Sequence, residues 1–170
     1  MIEFMVITAP RSASTWASNW LTTDTTLCMH EPSWKMDCSE FDSIQSKRML
    51  GLSETSSIGF HKWVKTHPAR KVILHRDIAE CSASLVELGF PPLGSYWNTA
   101  LHEIEGRHYH WQDMWDAAKA KEIYEFLLQR DFDAERWNWI KEIEMQPHFA
   151  GLTVGKDVAA RLLKEMRKTQ

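Results

Sequence analysis

Short apolar runs alternate with helix-like stretches through the first two-thirds of the chain, and helical patterning takes over after that. Residues 3–8, Glu-Phe-Met-Val-Ile-Thr, are a compact apolar run that predicts a buried strand. Pro10 follows, then Ser12, Ser14 and Thr15, and residues 16–21 read as a helix, giving a strand–loop–helix unit. A second strand is predicted over residues 26–30, ended by Pro32. Residues 33–57 are rich in Ser, Asp and Lys and read as a loop or short helix. Residues 58–65 and 71–75 read as strands joined by Thr66-His67-Pro68-Ala69-Arg70. A helix is predicted over residues 78–88, closed by Gly89 and Pro91. Residues 107–111 suggest one more strand, and helices are expected near 114–129, 133–145 and 156–168.

This alternation predicts an α/β fold: a three-layer sandwich with a central parallel sheet of about four to five strands and a helical C-terminal third. At 170 residues the chain is read as a single domain, residues 1–170, with no internal repeat. In a parallel sheet of this kind ligands bind outside the carboxyl ends of the strands. The polar clusters of interest all fall at such predicted ends.

Composition narrows the function classes. The chain is 44% hydrophobic and 25% charged, with a formal net charge of −3, so no general basic field attracts nucleic acid or anionic lipid. An anion must then be held by a local arrangement. The N-terminal residues lack the basic region of a signal peptide, and no apolar run approaches the ~20 residues of a membrane helix. Cys28, Cys38 and Cys81 read as reduced thiols, which together with these absences points to a cytoplasmic protein. Of the nine tryptophans, Trp97, Trp111, Trp115, Trp137 and Trp139 fit core positions, whereas Trp16 sits where chemistry is expected.

The loop Pro10-Arg11-Ser12-Ala13-Ser14-Thr15-Trp16 joins a strand to a helix start, where free backbone N–H groups and the helix dipole favour an anion. Arg11 brings a permanent charge suited to oxyanions, and Ser12, Ser14 and Thr15 bring hydroxyls. Without glycine or lysine the loop is not a Walker A sequence. It resembles instead the first motif of the sulfotransferase family, Pro-Lys/Arg-Ser-Gly-Thr/Ser-Thr with a following apolar or aromatic residue. Ala13 stands in place of the family's glycine, and Arg11 in place of the lysine of cytosolic members. The resemblance implies a P-loop NTPase-like sulfotransferase fold. It further implies that this loop holds the 5′-phosphosulfate of 3′-phosphoadenylyl sulfate, that Arg11 neutralises the bridging oxygen, and that Trp16 stacks on adenine. The product would be adenosine 3′,5′-bisphosphate.

A second stretch, residues 71–84, runs from an apolar strand through Arg76-Asp77 into a helix bearing Ser84, eight residues beyond Arg76. It is similar to the family's second motif, which implies that Arg76 and Ser84 bind the 3′-phosphate. A looser similarity covers residues 110–114 and 120–137, so the resemblance spans residues 3 to about 137.

Sulfuryl transfer also needs a base for the acceptor proton. Lys65-Thr66-His67-Pro68 resembles a segment of cytosolic sulfotransferases, implying His67 as base and Lys65 as an aid at the sulfuryl group. Glu31, after the second predicted strand, matches the glutamate base of other members, and the choice between Glu31 and His67 stays open. His30, His61 and His75 read as packing or hydrogen-bonding residues. No metal is expected, because no His/Cys group has zinc spacing. The function implied is transfer of a sulfuryl group to a hydroxyl or amine of a small-molecule or glycan acceptor held by residues 33–57 and 90–111. Two alternatives remain: an ATP-dependent kinase using Asp77 or Asp113 for Mg²⁺, and a non-catalytic nucleotide-binding relic.

Overall fold

Phe4, Met5, Val6, Ile7 and Thr8 are all buried, as a strand covered on both faces requires. In the computed structural model, which describes residues 1–143, they form β1 (Phe4–Thr8). The other strands are β2 (Thr26–His30), β3 (Met49–Glu54), β4 (Arg70–His75) and β5 (Arg107–His110). All pairings are parallel, and the order across the sheet is β2-β3-β1-β4-β5.

Among the described residues six helices cover this sheet: α1 (Ser14–Leu21), α2 (His61–Thr66), α3 (Ile78–Glu87), α4 (Tyr96–His102), α5 (Ala117–Leu128) and α6 (Ala134–Lys141). Successive strand side chains point to opposite faces, and two cores result. Phe4, Val6, Val72 and Leu74 pack with α1, α5 and α6 on one face. Met5, Ile7, Leu52 and Ile73 pack with Val64, Cys81 and Leu101 of α2, α3 and α4 on the other. Each fully buried large side chain contributes about 1.5–3 kcal/mol relative to exposure.

Two sequence expectations are corrected here. Residues 33–57 contain β3, the strand inserted between β2 and β1, as well as 3₁₀ turns at Pro32–Trp34 and Cys38–Ser43. Gly51 in β3 lies opposite Phe4, and a Cβ there would come within 2.1 Å of the Phe4 ring. The glycine that makes the segment a weak strand by sequence is what allows the ring to lie across it. Residues 58–65 are not a strand. They form a 3₁₀ turn, Ser57–Phe60, leading into α2. Phe60, Trp63 and His67 follow helical spacing and touch one another, with ring centroids 6.1 and 4.6 Å apart.

Two helices differ in extent from the sequence reading. A 3₁₀ turn, Trp111–Trp115, precedes α5, and α4 occupies part of the aromatic segment expected to line a pocket. The helix expected at 156–168, and the end of that expected at 133–145, lie outside the described residues. No helix among the described residues is long and apolar enough to cross a membrane.

The strand order fixes where a ligand crevice opens. From β1 the chain passes through α1 toward β2 at one edge; from β4, its neighbour, it passes through α3 and α4 to β5 at the other. Adjacent carboxyl ends whose connections leave in opposite directions define a topological switch point, the usual ligand crevice of open α/β sheets.

Candidate functional site

Both expected anchors stand at this switch point. The residues after β1 do not run straight into α1: Arg11 has φ 69° and Ala13 φ 65°, both left-handed. Ser12 between them is fully buried, with its Oγ 3.4 Å from Cys81 Sγ on α3. Burial pushes the Cys81 thiol above its ordinary range, so it stays protonated. The backbone amides of residues 12–16 donate to no acceptor among the described residues, while Ala17 N–H already closes onto the Ala13 carbonyl at 2.9 Å. The loop is a concave set of free N–H donors at a helix start.

Arg11 reaches across this loop and its Nε donates to Ser84 Oγ on α3 at 2.9 Å. One guanidinium nitrogen of Arg76, the residue after β4, donates to the Arg11 carbonyl at 2.5 Å. The Arg76 Nε donates to Glu80 at 3.2 Å, and its guanidinium lies 4.7 Å over the Trp111 ring. Arg11, Arg76 and Ser84, separated by up to 73 residues in sequence, therefore form one basic, hydroxyl-bearing cluster.

Glu31 joins the same edge from β2. Its φ of 46° is also left-handed, so three of the four non-glycine residues with positive φ among the described residues are Arg11, Ala13 and Glu31. Such strain persists where surrounding structure enforces it and gathers at functional sites. Thr55 donates its hydroxyl to Glu31 Oε1 at 2.6 Å. His30 Nε2 lies 3.1 Å from Ser14 Oγ, 3.2 Å from Thr15 Oγ1 and 3.7 Å from Glu31 Oε1. His30, expected from sequence to be a packing or hydrogen-bonding residue, is hydrogen-bonded, and it links the Glu31 carboxylate to Ser14 and Thr15 of the loop. Glu54 gave no signal because β3 went unrecognised. Its carboxylate, fully buried, accepts from the amides of Ser33, Thr55 and Ser56 at 3.3, 3.0 and 2.9 Å and ties down the loops beside Glu31.

Other expected site residues lie elsewhere. His67 and Lys65 are at the opposite end of the sheet. His67 Nε2 pairs with Asp42 at 3.0 Å, and the same carboxylate accepts from the Ile2 amide, just before β1. Lys65 pairs with Glu103 at 3.1 Å on the surface. A five-residue strand separates this edge from the anion loop, about 16 Å at strand rise, beyond the reach of either side chain. The family-implied roles of Lys65 and His67 are therefore corrected: α2 carries them toward the amino ends, where they close the base of the fold.

Trp16 is corrected likewise. It is 4% exposed, its Nε1 donates to the Ile140 carbonyl at 3.2 Å, and its ring lies 5.1 and 5.2 Å from those of Trp20 and Trp115. The first turn of α1 points it inward, and no open face is left for adenine. Pro10 lies at the rim of the loop, half-buried. Asp77 and Asp113, the acids considered for Mg²⁺, act as caps: Asp77 accepts from the Ala79 and Glu80 amides and Asp113 from the His110 amide.

Two hollows flank the cluster. One of about 390 Å³ is lined by Ser33, Trp34, Met36, Asp37, Cys38 and Ser56, among others, beside the carboxyl ends of β2 and β3. A larger groove of about 580 Å³ runs along the β5 edge and is lined by His75, His102, His108, His110, Tyr109 and Asp113, among others. Burial first, and then the surrounding histidines, lower the His75 pKa to about 4.

Ala13 offers a direct check on loop strain. A left-handed alanine costs about 1 kcal/mol more than glycine before the entropy that glycine adds to the unfolded chain. Ala13→Gly is expected to raise the denaturant midpoint by a stability gain of about 0.5 kcal/mol with unchanged slope. A drop in the midpoint would mean that the alanine methyl packs more than it strains.

The chain matches no family model, no curated protein and no solved structure.

Proposed function

We propose that the crevice between β1 and β4 binds a nucleotide carrying two separate anionic groups, 3′-phosphoadenylyl sulfate, and that the chain transfers its sulfuryl group to a hydroxyl or amine acceptor. In this reading the fold is the P-loop NTPase-like one of sulfotransferases. The observation that carries the proposal is the 2.9 Å contact between Arg11 and Ser84, which joins the anion loop to the second anchor. A one-phosphate ligand would need only the loop.

The residues fit the two anionic groups better than they fit the base. Free amides of residues 12–16, with Ser14 and Thr15, suit the phosphosulfate, while Arg76 and Ser84 suit the 3′-phosphate. The adenine contact assigned to Trp16 by resemblance has no counterpart in its buried ring. The donor supplies an activated sulfuryl group, and the protein's part is positioning and charge stabilisation. Arg11 stabilises negative charge at the loop. Glu31, held by Thr55, takes the acceptor proton, and the 390 Å³ hollow beside it is the acceptor side. The acceptor is of small-molecule or glycan size.

Calorimetric titration tests the donor assignment. Adenosine 3′,5′-bisphosphate is expected to bind with micromolar affinity and ADP at least about tenfold more weakly, the difference of one charge-assisted phosphate contact. Tighter binding of ATP with Mg²⁺ would replace sulfuryl transfer by phosphoryl transfer. A folded protein that binds none of the three would leave a non-catalytic scaffold.

A further inference from the structure

We propose that His75, His102 and His108 form a binding site for a borderline divalent transition-metal ion of the Zn²⁺ class, open at its fourth position to the groove along β5. Three separate elements deliver the rings. His75 ends β4, His102 ends α4 and His108 is the second residue of β5. The register sets Ile73 opposite His108 and His75 opposite His110, so His75 and His108 are diagonal neighbours on one face, and α4 lays His102 over them. One ring nitrogen from each residue lies within 4.8 Å of the other two. His75 Nε2 and His108 Nδ1 are 2.8 Å apart. Tetrahedral zinc with nitrogen ligands at its usual bond length spaces those nitrogens about 3.3 Å apart, inside this range.

The hydrogen bonding suits ligands better than packing residues. His108 Nε2 lies 3.0 Å from the Ile104 carbonyl. Donating its proton there fixes the tautomer and turns the Nδ1 lone pair inward, the usual outer support of a metal-bound histidine. The His102 ring makes no hydrogen bond among the described residues. His75 turns Nε2 toward His108, while its other ring nitrogen, Nδ1, is buried with no partner among the described residues. No carboxylate pairs with any of the three rings among the described residues. A cation shared by the three inward nitrogens explains why imidazoles crowd here, with ring centroids 4.4, 5.0 and 6.0 Å apart. Imidazole ligands favour zinc, copper and nickel over magnesium or calcium. Three protein ligands with the remaining position facing a 580 Å³ groove leave room for water or a small oxygen ligand.

The test uses untagged full-length protein stripped with a chelator and titrated with ZnCl₂, with Co²⁺ as a spectroscopic probe. The site predicts one Zn²⁺ per chain at micromolar affinity or tighter, and visible Co²⁺ bands of a nitrogen-ligated tetrahedral ion. His102 and His108 are exposed enough to replace without loss of the fold, which circular dichroism verifies. His102→Ala and His108→Ala are each expected to weaken Zn²⁺ binding about tenfold or more, and the double variant to lose the Co²⁺ bands. Absence of saturable Zn²⁺ binding, or binding undiminished in the double variant, overturns the site. Nucleotide binding is read by the separate bisphosphate titration, so the two proposals fail independently.

Discussion

Arg76→Ala is expected to weaken adenosine 3′,5′-bisphosphate binding by about 10–100-fold while ADP binding changes much less. Arg76 is the one permanent charge at the end of β4 that touches the anion loop, through its bond to the Arg11 carbonyl. A charge-assisted contact of this kind is worth about 1.5–3 kcal/mol, and each 1.4 kcal/mol is a factor of ten in affinity. Because Arg76 also braces Arg11 in its left-handed conformation, part of the loss has a structural route, which a melting curve of the variant measures. Arg76→Lys separates the two effects. It keeps the charge but not the planar fork, so it is expected to fall between the parent and the alanine variant. Equal losses for the bisphosphate and ADP would place Arg76 at a shared phosphate and end its role in selecting the 3′-phosphate.

The second large effect is expected on turnover. Glu31→Gln keeps an oxygen for the Thr55 hydroxyl but removes the carboxylate's ability to take a proton. Loss of a general base costs about 10²–10⁴-fold, so kcat, followed as bisphosphate release with any acceptor that supports turnover in the parent, is expected to fall by that factor. Bisphosphate affinity is expected to stay unchanged. His67→Gln is the informative comparison: His67 sits with Asp42 at the far end of the sheet, and its replacement is expected to lower stability without this loss in kcat. The reverse pattern would restore His67 as base and require a different arrangement of α2.

The linking of the sites through one sheet explains why some wrong expectations came from the most family-like residues. Lys65-Thr66-His67-Pro68 was legible as a motif, but a motif carries no information about which end of the sheet its segment reaches. Reading residues 58–65 as a strand placed His67 at a carboxyl end. Their folding as a turn and α2 takes the same residues to the amino end. Trp16 illustrates the finer version of this limit. Its position in the loop motif was clear, yet the direction of its ring depends on the first turn of α1 and on Trp115 and Ile140, which come from much later in the chain.

Local physics determined what the sequence could show by itself: the apolar runs of β1, β2 and β4, the starts of α1 and α3, and the placement of Arg11 and Arg76 at or just beyond strand ends. Those features depend on neighbours a few residues away, through period, capping and turn chemistry. The tertiary structure alone decided that β3 slips between β2 and β1 over Gly51, that Arg11 meets Ser84, that His30 reaches Ser14 and Thr15, and that three histidines come together. Each of these depends on parallel pairing and crossover, which bring together side chains from separate elements at distances that no sequence spacing records.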